Sequence, residues 1–396
     1  MSGSENIKIV SLIRCNDYDR ENVFESVRQS LDRIGGVGVF VRPGQAVFLK
    51  FNMLLGAHPD KCVSTHPEIV HAVARILKSH GCTIVMGDSP GSGLPYNERV
   101  LRKAYAASGF DRIAEDLAIP LNYDTGSREI SAPQARMTKR FRIIRPALDC
   151  DAIVVVSKAK THGLTYVTGA AKNLFGVIPG FEKPTYHATL PNSNDFSRMI
   201  LDLNALLKPQ LHIMDAVMGM EGDGPHSGTP RKIGAVLASG DSTAIDVALS
   251  RLMSIEPRDV PTIKMAIERG LAKPDLSDIS VVGEAVDDMA VKDFKRPTSY
   301  RGSRKDGVTL GRMAGWLSSL VKDYAPRPKI VAEKCVGCLR CVRSCPTRTI
   351  SATGKIPRIA YGKCIKCYCC HEMCESHAIL LKRSIWGTLV ASMVDR

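Results

Sequence analysis

Eight of the 13 cysteines in this 396-residue chain form two copies of one pattern near its C-terminal end. Cys335, Cys338, Cys341 and Cys345 are spaced C-x2-C-x2-C-x3-C and followed by Pro346; Cys364, Cys367, Cys370 and Cys374 repeat the spacing. A segment that must bring four thiolates together has little freedom to fold otherwise. A 4Fe–4S cubane takes three close cysteines from a tight loop plus one remote cysteine, and in two-cluster ferredoxins the remote one belongs to the other copy. The expected groups are therefore Cys335, Cys338, Cys341 with Cys374, and Cys364, Cys367, Cys370 with Cys345. Two 4Fe–4S clusters are the expected cofactors.

Other uses of these residues fail on chemistry. A zinc site built from C-x2-C pairs has no place for the third close cysteine of each copy. A disulfide framework suits a small secreted domain, whereas this chain is long and starts without a charged-then-apolar leader. Glu375 stands where a proline usually follows the last cysteine. Cys369 adjoins Cys370, and only Cys370 keeps the spacing of a ligand. Cys15, Cys62, Cys82 and Cys150 are scattered, three of them in apolar stretches, and read as buried reduced thiols.

The formal net charge is +14, but the C-terminal part accounts for much of it. Residues 331–396 hold 11 Lys or Arg against 4 Asp or Glu, a net of +7. Each oxidised cluster with its thiolates carries about −2, so part of this basicity is local compensation. Two further basic runs, Arg136 to Arg145 and Lys292 to Lys305, match no nucleic-acid recognition element, and no nucleic-acid partner is expected. No apolar run reaches the ~18 residues of a membrane span. The composition, 44% apolar and 24% charged, reads as globular and cytoplasmic. Labile clusters suggest reducing, anaerobic conditions.

Over the first ~285 residues, short β-branched runs alternate with amphipathic stretches, the mark of an α/β fold with a mostly parallel sheet and helices on both faces. Strands are expected at 8–13, 46–51, 82–88, 152–157, 211–216, 233–239 and 279–284, and helices at 20–34, 67–79, 97–108, 196–207 and 243–253. Pro67 fits a first helical turn, and Asp241-Ser242 offers a cap. The expected division is a body over 1–290, a basic linker over 291–328, and a small α+β ferredoxin-like two-cluster module with its tail over 329–396. A short helix is expected at Met313–Tyr324, and Ala325-Pro326-Arg327-Pro328 reads as a stiff connector. The tail Ile379–Val394 reads as a strand and helix docking the module onto the body.

Polar residues gather at the expected strand ends. Lys50 and Asn52 end the second strand, and Asp88 ends the third. Lys158, Lys160 and His162 follow the fourth, Asp215 closes the fifth, and Glu221 lies in the glycine-rich loop behind it; Asp241 follows the sixth. In an open parallel sheet the C-terminal strand ends share one edge, where ligands bind. The loop at 219–228 is no phosphate loop: it lacks the G-x4-G-K-[ST] order, and Glu221 and Asp223 would repel an anion. Carboxylates beside a histidine could bind a metal ion in the body, whereas the lysines point to a carboxylate or phosphate on a small anionic substrate. No G-x-G-x-x-G motif follows the first strand, so neither flavin nor nicotinamide is expected.

These segments resemble the domain-of-unknown-function 362 family, commonly found fused to a ferredoxin module. The resemblance rests on Lys50 to Leu54, Thr65 to Glu68, Gly87 to Gly91, Ser157 to His162, Ala171 to Gly176, Asp215 to Gly228, and the cysteine block Lys363 to Glu372. Phe51 replaces the proline usual at the first of these. The resemblance adds Lys172, Asn173 and His187 to the rim and implies a site rather than a reaction. A looser likeness, at the level of the fold, is to the nickel-pincer lactate racemase group.

The function expected from all this is a ferredoxin-linked oxidoreductase. Two clusters would take electrons from a redox partner protein and pass them to an anionic substrate or metal centre in the cleft. Lys50 and Lys158 would hold the acidic group, His162, Lys160 or Lys172 would supply protons, and Asp88, Asp215 and Glu221 would orient the lysines or bind a cation. The alternative is a non-catalytic electron carrier or a metallocofactor-assembly factor.

Overall fold

The computed structural model describes residues 7–91, 93–298, 300, 326–352 and 354–382. The expected helix at Met313–Tyr324, the basic run beyond Thr298 apart from Tyr300, and the tail beyond Lys382 lie outside the described residues. In chain order the body contains β1 (Lys8–Arg14), α1 (Arg20–Asp32), β2 (Ala46–Lys50), α2 (Pro67–Ser79), β3 (Thr83–Gly87), α3 (Glu98–Ser108) and α4 (Phe110–Leu117). A hairpin of β4 (Ser127–Ser131) and β5 (Arg140–Ile144) precedes β6 (Ala152–His162), β7 (Tyr166–Val167), α5 (Gly169–Asn173), α6 (Lys183–Thr189) and α7 (Ser193–Leu207). The body closes with β8 (Leu211–Glu221), β9 (Thr229–Ser239), α8 (Ser242–Leu252), α9 (Pro261–Glu268), β10 (Ile279–Gly283) and α10 (Val286–Met289).

The main sheet runs β10-β1-β9-β8-β6-β2-β3, with β7 added antiparallel at the end of β6. The pairs β10–β1, β8–β6, β6–β2 and β2–β3 are parallel; β9 runs antiparallel to both β1 and β8. Side chains alternate across a strand, and the two faces bury different helices. Val236 and Ala238 of β9 join Ile213 of β8 in a core with Val23, Val27 and Leu31 of α1. Ala235 and Leu237 join Met214 and Ala216 in a second core with Ile245, Ala248 and Leu249 of α8. The fold is thus α/β, with a mixed, mostly parallel sheet between helical layers.

Local signals explain the helix starts. Asn97 caps α3 by accepting from the Val100 amide at 3.0 Å, and Asp241 caps α8 through the Ala244 amide at 2.8 Å. Because β9 is antiparallel, Asp241 sits at the sheet edge opposite the rim, contrary to the parallel-sheet expectation. The basic run Arg136 to Arg145 turns out to be largely the strand β5. Phe141 and Ile143 are buried, while Arg140, Arg142 and Arg145 face outward to Glu129, Glu182 and Asp124. Those acids pair three of the run's five cations.

The module contains β11 (Arg327–Ile330), α11 (Arg340–Arg343), β12 (Ile350–Ser351), β13 (Arg358–Ile359), α12 (Cys369–Glu372) and β14 (Ile379–Lys382). Arg327 and Pro328, expected as the end of the connector, instead open β11, which pairs antiparallel with β14, so the tail strand joins the module's own sheet. Each cysteine of the second copy follows its counterpart by 29 residues, and the backbone obeys the same offset. Gly337 and Lys366, Leu339 and Tyr368, and Arg348 and His377 all have positive φ, from 50° to 70°. Two equivalent loops with left-handed turns are what two equivalent clusters require of the chain.

Candidate functional site

Strand β6 is central, and all eleven of its residues are buried. Its first half is the apolar run that a strand covered on both faces demands. It then carries Lys158, Lys160 and His162 into the interior, further than the expected end at residue 157. Likewise Asp215 lies within β8, opposite Lys158 in register. A register irregularity between Lys158 and Lys160 lets the two lysines take different partners.

Lys158 donates to Asp215 Oδ2 at 2.9 Å and to the Tyr18 hydroxyl at 2.8 Å. Tyr18 donates to Asp215 Oδ1 at 2.8 Å, and the His66 amide to Oδ2 at 2.9 Å. The Tyr18 and His66 rings stack with centroids 3.5 Å apart. Neighbouring charges and hydrogen bonds are thus matched inside the protein, as a buried ion pair requires.

A second network links the ends of β2, β3 and α5. Lys50 forms an ion pair with Asp88 Oδ1 at 2.9 Å and donates to Asn173 Oδ1 at 2.7 Å and to the Phe51 carbonyl at 2.8 Å. Asn173 Oδ1 also accepts from Asn52 Nδ2 at 3.2 Å. The Asn52 oxygen in turn accepts from Lys160 at 2.6 Å, and Lys160 donates again to the Val63 carbonyl at 2.6 Å. Gly176 seals the Lys50–Asp88 pair: a Cβ there would lie 2.1 Å from Asp88 Oδ1 and 2.4 Å from Lys50 Nζ. Phe51, in the proline position of the family, stacks on Phe110 at 4.0 Å and anchors this strand end in the core.

Lys160 differs from Lys50 and Lys158 in having no carboxylate partner among the described residues. Burial, then the charges of Lys172 and Lys158, pushes its amino group down to about 7. Lys183, which the sequence reading did not single out, behaves alike. It donates to the Ser89 carbonyl and hydroxyl and the Pro90 carbonyl, all neutral, and burial pushes it down to about 7. Lys172, on α5, makes no hydrogen bond or ion pair among the described residues; its ammonium lies 5.8 and 5.9 Å from the Phe175 and Phe196 rings. His187 stacks on Phe196 at 4.7 Å, its Nδ1 has no hydrogen-bond partner among the described residues, and burial pushes the ring down to about 3.

The module contacts this cleft. His162 Nδ1 accepts from the Leu164 amide at 3.0 Å, which leaves the proton on Nε2. Nε2 faces Glu372 Oε1 of α12 at 3.6 Å. Glu372 is buried, and burial raises its carboxyl above the ordinary range, with Lys172 and Lys160 pulling the other way. Two further contacts join the parts. His226 stacks on His377 at 5.2 Å, and Gly93 lies so close to the module that a Cβ would sit 2.6 Å from Ser344 Cα.

Within the module, Cys345, Cys364, Cys367 and Cys370 line one recess. Cys335, Cys338, Cys341 and Cys374 line a second. Each recess takes three cysteines from one copy and one from the other. The Thr349 amide donates to Cys345 Sγ at 3.3 Å and the Ala378 amide to Cys374 Sγ at 3.2 Å, contacts that favour thiolates. The donor set in each recess fits a 4Fe–4S cluster. Cys369 lines neither recess: it is fully buried, hydrogen-bonds the side chain of Cys367 and lies near Lys172.

Of the residues expected at the rim, Lys50, Asn52, Asp88, Lys160 and Asn173 form one connected network. Lys158 and Asp215 form the adjoining one, His162 and Lys172 lie near Glu372, and His187 lies near His162 and Lys172. Glu221 does not join them; it accepts from the Lys295 amide at 3.0 Å and pairs with its ammonium at 3.6 Å. Asp88, Asp215 and Glu221 thus each serve a different lysine. Among the described residues, no three His, Cys, Asp or Glu side chains converge as ligands for a single metal ion. The extra metal envisaged from the sequence therefore lacks an assembled donor set there. Glu372 and Tyr18 were missed because neither ends an expected strand, and Lys183 because it lies beyond the family-like segment that ends at Gly176.

Residues 47–251 match the model of the domain of unknown function (DUF362) family, and residues 327–375 match that of a 4Fe-4S dicluster domain. A thylakoid-associated protein of Synechocystis sp. is 32% identical over 292 residues, 74% of this chain and 88% of that protein. The lactate racemase apoprotein from Thermoanaerobacterium thermosaccharolyticum aligns with a TM-score of 0.41 and 12% identity, over 64% of this chain and 59% of that one. Among the described residues no helix is long and apolar enough to cross a membrane. The chain belongs to the DUF362 family and carries an iron–sulfur dicluster domain.

Proposed function

We propose that this protein is a ferredoxin-linked oxidoreductase in which the 1–290 body binds a small anion and the 329–396 module provides electrons. The observation that carries this reading is α12, which supplies Cys370 to one recess and Glu372 to the lysine cleft two residues later. Cys335, Cys338, Cys341 and Cys374 would hold one cluster and Cys364, Cys367, Cys370 and Cys345 the other. Bound clusters supply single electrons. Every other task falls to the body.

The anion seat is Lys160, Lys172 and the Nε2–H of His162. Among the described residues, Lys160 has two acceptors and one N–H to spare, and Lys172 has all three. Lys50 and Lys158 are engaged by Asp88 and Asp215, so their role is to fix Asn173, Asn52 and β6 beneath the seat. A substrate that gains electrons must also gain protons. With its amino group near 7, Lys160 can give one up at neutral pH, where an ordinary lysine would hold it. His162, kept neutral by burial and by Lys172, donates a hydrogen bond without adding charge.

The internal pairing of Lys50 and Lys158 also favours a second reading, an electron carrier or assembly factor whose body serves as a docking platform. The two separate cleanly. Protein purified without oxygen is reduced with dithionite, and reoxidation is followed by the visible absorption of the clusters while small carboxylates and phosphate esters are added. Reoxidation by a restricted set of anions, lost in Lys172→Ala and His162→Ala with unchanged cluster spectra, supports the oxidoreductase. Equal reoxidation rates in wild type and both variants sink it.

A further inference from the structure

The two cysteine groups differ in what surrounds them. Cys370 is buried and α12 faces the cleft. In the other group Cys338 is exposed, and so are the neighbouring Val336 (67%) and Ile356 (39%), two of the few large apolar side chains exposed among the described residues. Cations border this spot. The Arg343 guanidinium donates to the Cys338 carbonyl at 3.0 Å, and Lys355 packs on the loop, its carbonyl 3.0 Å from where a Gly337 Cβ would stand. Lys334 precedes the first ligand and is exposed, as are Arg343 and Lys355.

Acids do not balance them. Residues 326–382 hold 11 Lys or Arg and three Glu. Glu372 is buried in the cleft, Glu375 is exposed but pairs with Arg340, and Glu333 stands exposed beside Lys334. Two oxidised clusters at about −2 each would leave the module positive.

We propose that Val336 and Ile356, ringed by Lys334, Arg343 and Lys355, form the docking face for a soluble one-electron carrier protein with an acidic surface. This rests on the reading of the module as an electron-transfer unit, though not on the chemistry of the cleft. A small apolar centre with a charged rim suits an encounter that must be brief. Electron-transfer interfaces bury little area, and complementary charge raises the association rate more than the final affinity. The face surrounds the most exposed cysteine, where a partner's redox group can come nearest, and it lies on the cysteine group that does not contain Cys370.

The test uses the cluster-loaded full chain, titrated calorimetrically with an acidic flavodoxin. Saturable binding is expected at low salt, weakened about tenfold or more at physiological ionic strength, where exposed charges are screened. The Lys334→Glu/Arg343→Glu/Lys355→Glu variant is expected to lose about tenfold at low salt, with its visible spectrum and dithionite reduction unchanged. Reversals at Lys103, Lys208 and Lys232, exposed on the body, should change affinity less than about twofold. Equal affinity of the triple variant and wild type overturns the proposal. So does binding to phosphatidylserine vesicles through these three residues with none to the flavodoxin. Carrier binding that survives when no small anion reoxidises the clusters would uphold the docking face while the cleft reading fails.

Discussion

Glu372 of the iron–sulfur module and His162 of the body face each other at 3.6 Å inside the protein, each buried and each from a segment with its own chemistry. The backbone amide of Leu164 fixes the imidazole tautomer on one side, and two cysteines flank the carboxylate on the other. This contact ties the cysteine-rich part to the lysine-lined part, and it can be broken without touching a thiolate.

Glu372→Ala should therefore keep its clusters but loosen the join. Hydrogen–deuterium exchange read by mass spectrometry is expected to speed up several-fold over 158–173 and 369–377, because opening of an interface needs less free energy once a buried charge partner is gone. Unchanged exchange would mean that His226–His377 and Gly93–Ser344 hold the parts together without it.

Lys160 should titrate near 7 rather than near its ordinary 10.5. Between those values the unfolded chain carries a proton that the folded one lacks, so this residue's contribution makes stability rise with pH across that window. Anion affinity runs the opposite way, falling as the pH passes 7 and the ammonium is lost. Competitive acetylation at graded pH, with peptide mass spectrometry, reads the value directly. Lys160→Met should remove that segment of the stability profile.

Cys370→Ser should lower iron from about eight to about four per chain, as one cubane of two is lost. Cys369→Ser, one residue away, should leave both metal content and spectrum intact, since Cys369 lines neither recess. Iron and acid-labile sulfide analysis decides; equal losses in both variants would mean that the adjacent thiol is a ligand.

Asp246 of α8 accepts from the Ala170 and Ala171 amides and so holds the start of α5, the helix that carries Lys172 and Asn173. Asp246→Ala should cost about 1–2 kcal/mol, the usual worth of such a cap, read as a lower Tm. Burial pushes this carboxyl up to about 7 from 3.8. The folded state then holds a proton that the unfolded chain lacks between those values, so stability falls as pH rises through them. In Asp246→Asn that slope should vanish.

Much of this was legible in the chain because the signals are local. Helix α2 runs from Pro67 to Ser79 as read, since proline and an apolar stripe mark both its start and its buried face. The cysteine spacing pointed to cross-shared groups because the coordination chemistry leaves few choices. Less legible was the direction of β9, which depends on partners that no local pattern names, and which moved Asp241 to the far edge. The length of β6 was hidden as well. Lysines look like a strand's end until their buried partners, Asp215 and Asn52, are known. Glu372 lay in plain view among the cysteines, but its contacts come from residues 200 positions and more away.

The 29-residue repeat of the module has one more property. A duplicated scaffold has no intrinsic front or back, and identical halves could pass charge either way with equal ease. At the position two residues after the third cysteine, however, one half carries Arg343, exposed to solvent, and the other carries Glu372, buried against the body. A single residue of opposite sign at equivalent places makes the pseudo-symmetric pair polar. One end faces solvent and the other is buried against the body, so the two cysteine groups differ in what surrounds them rather than in the spacing of their thiols.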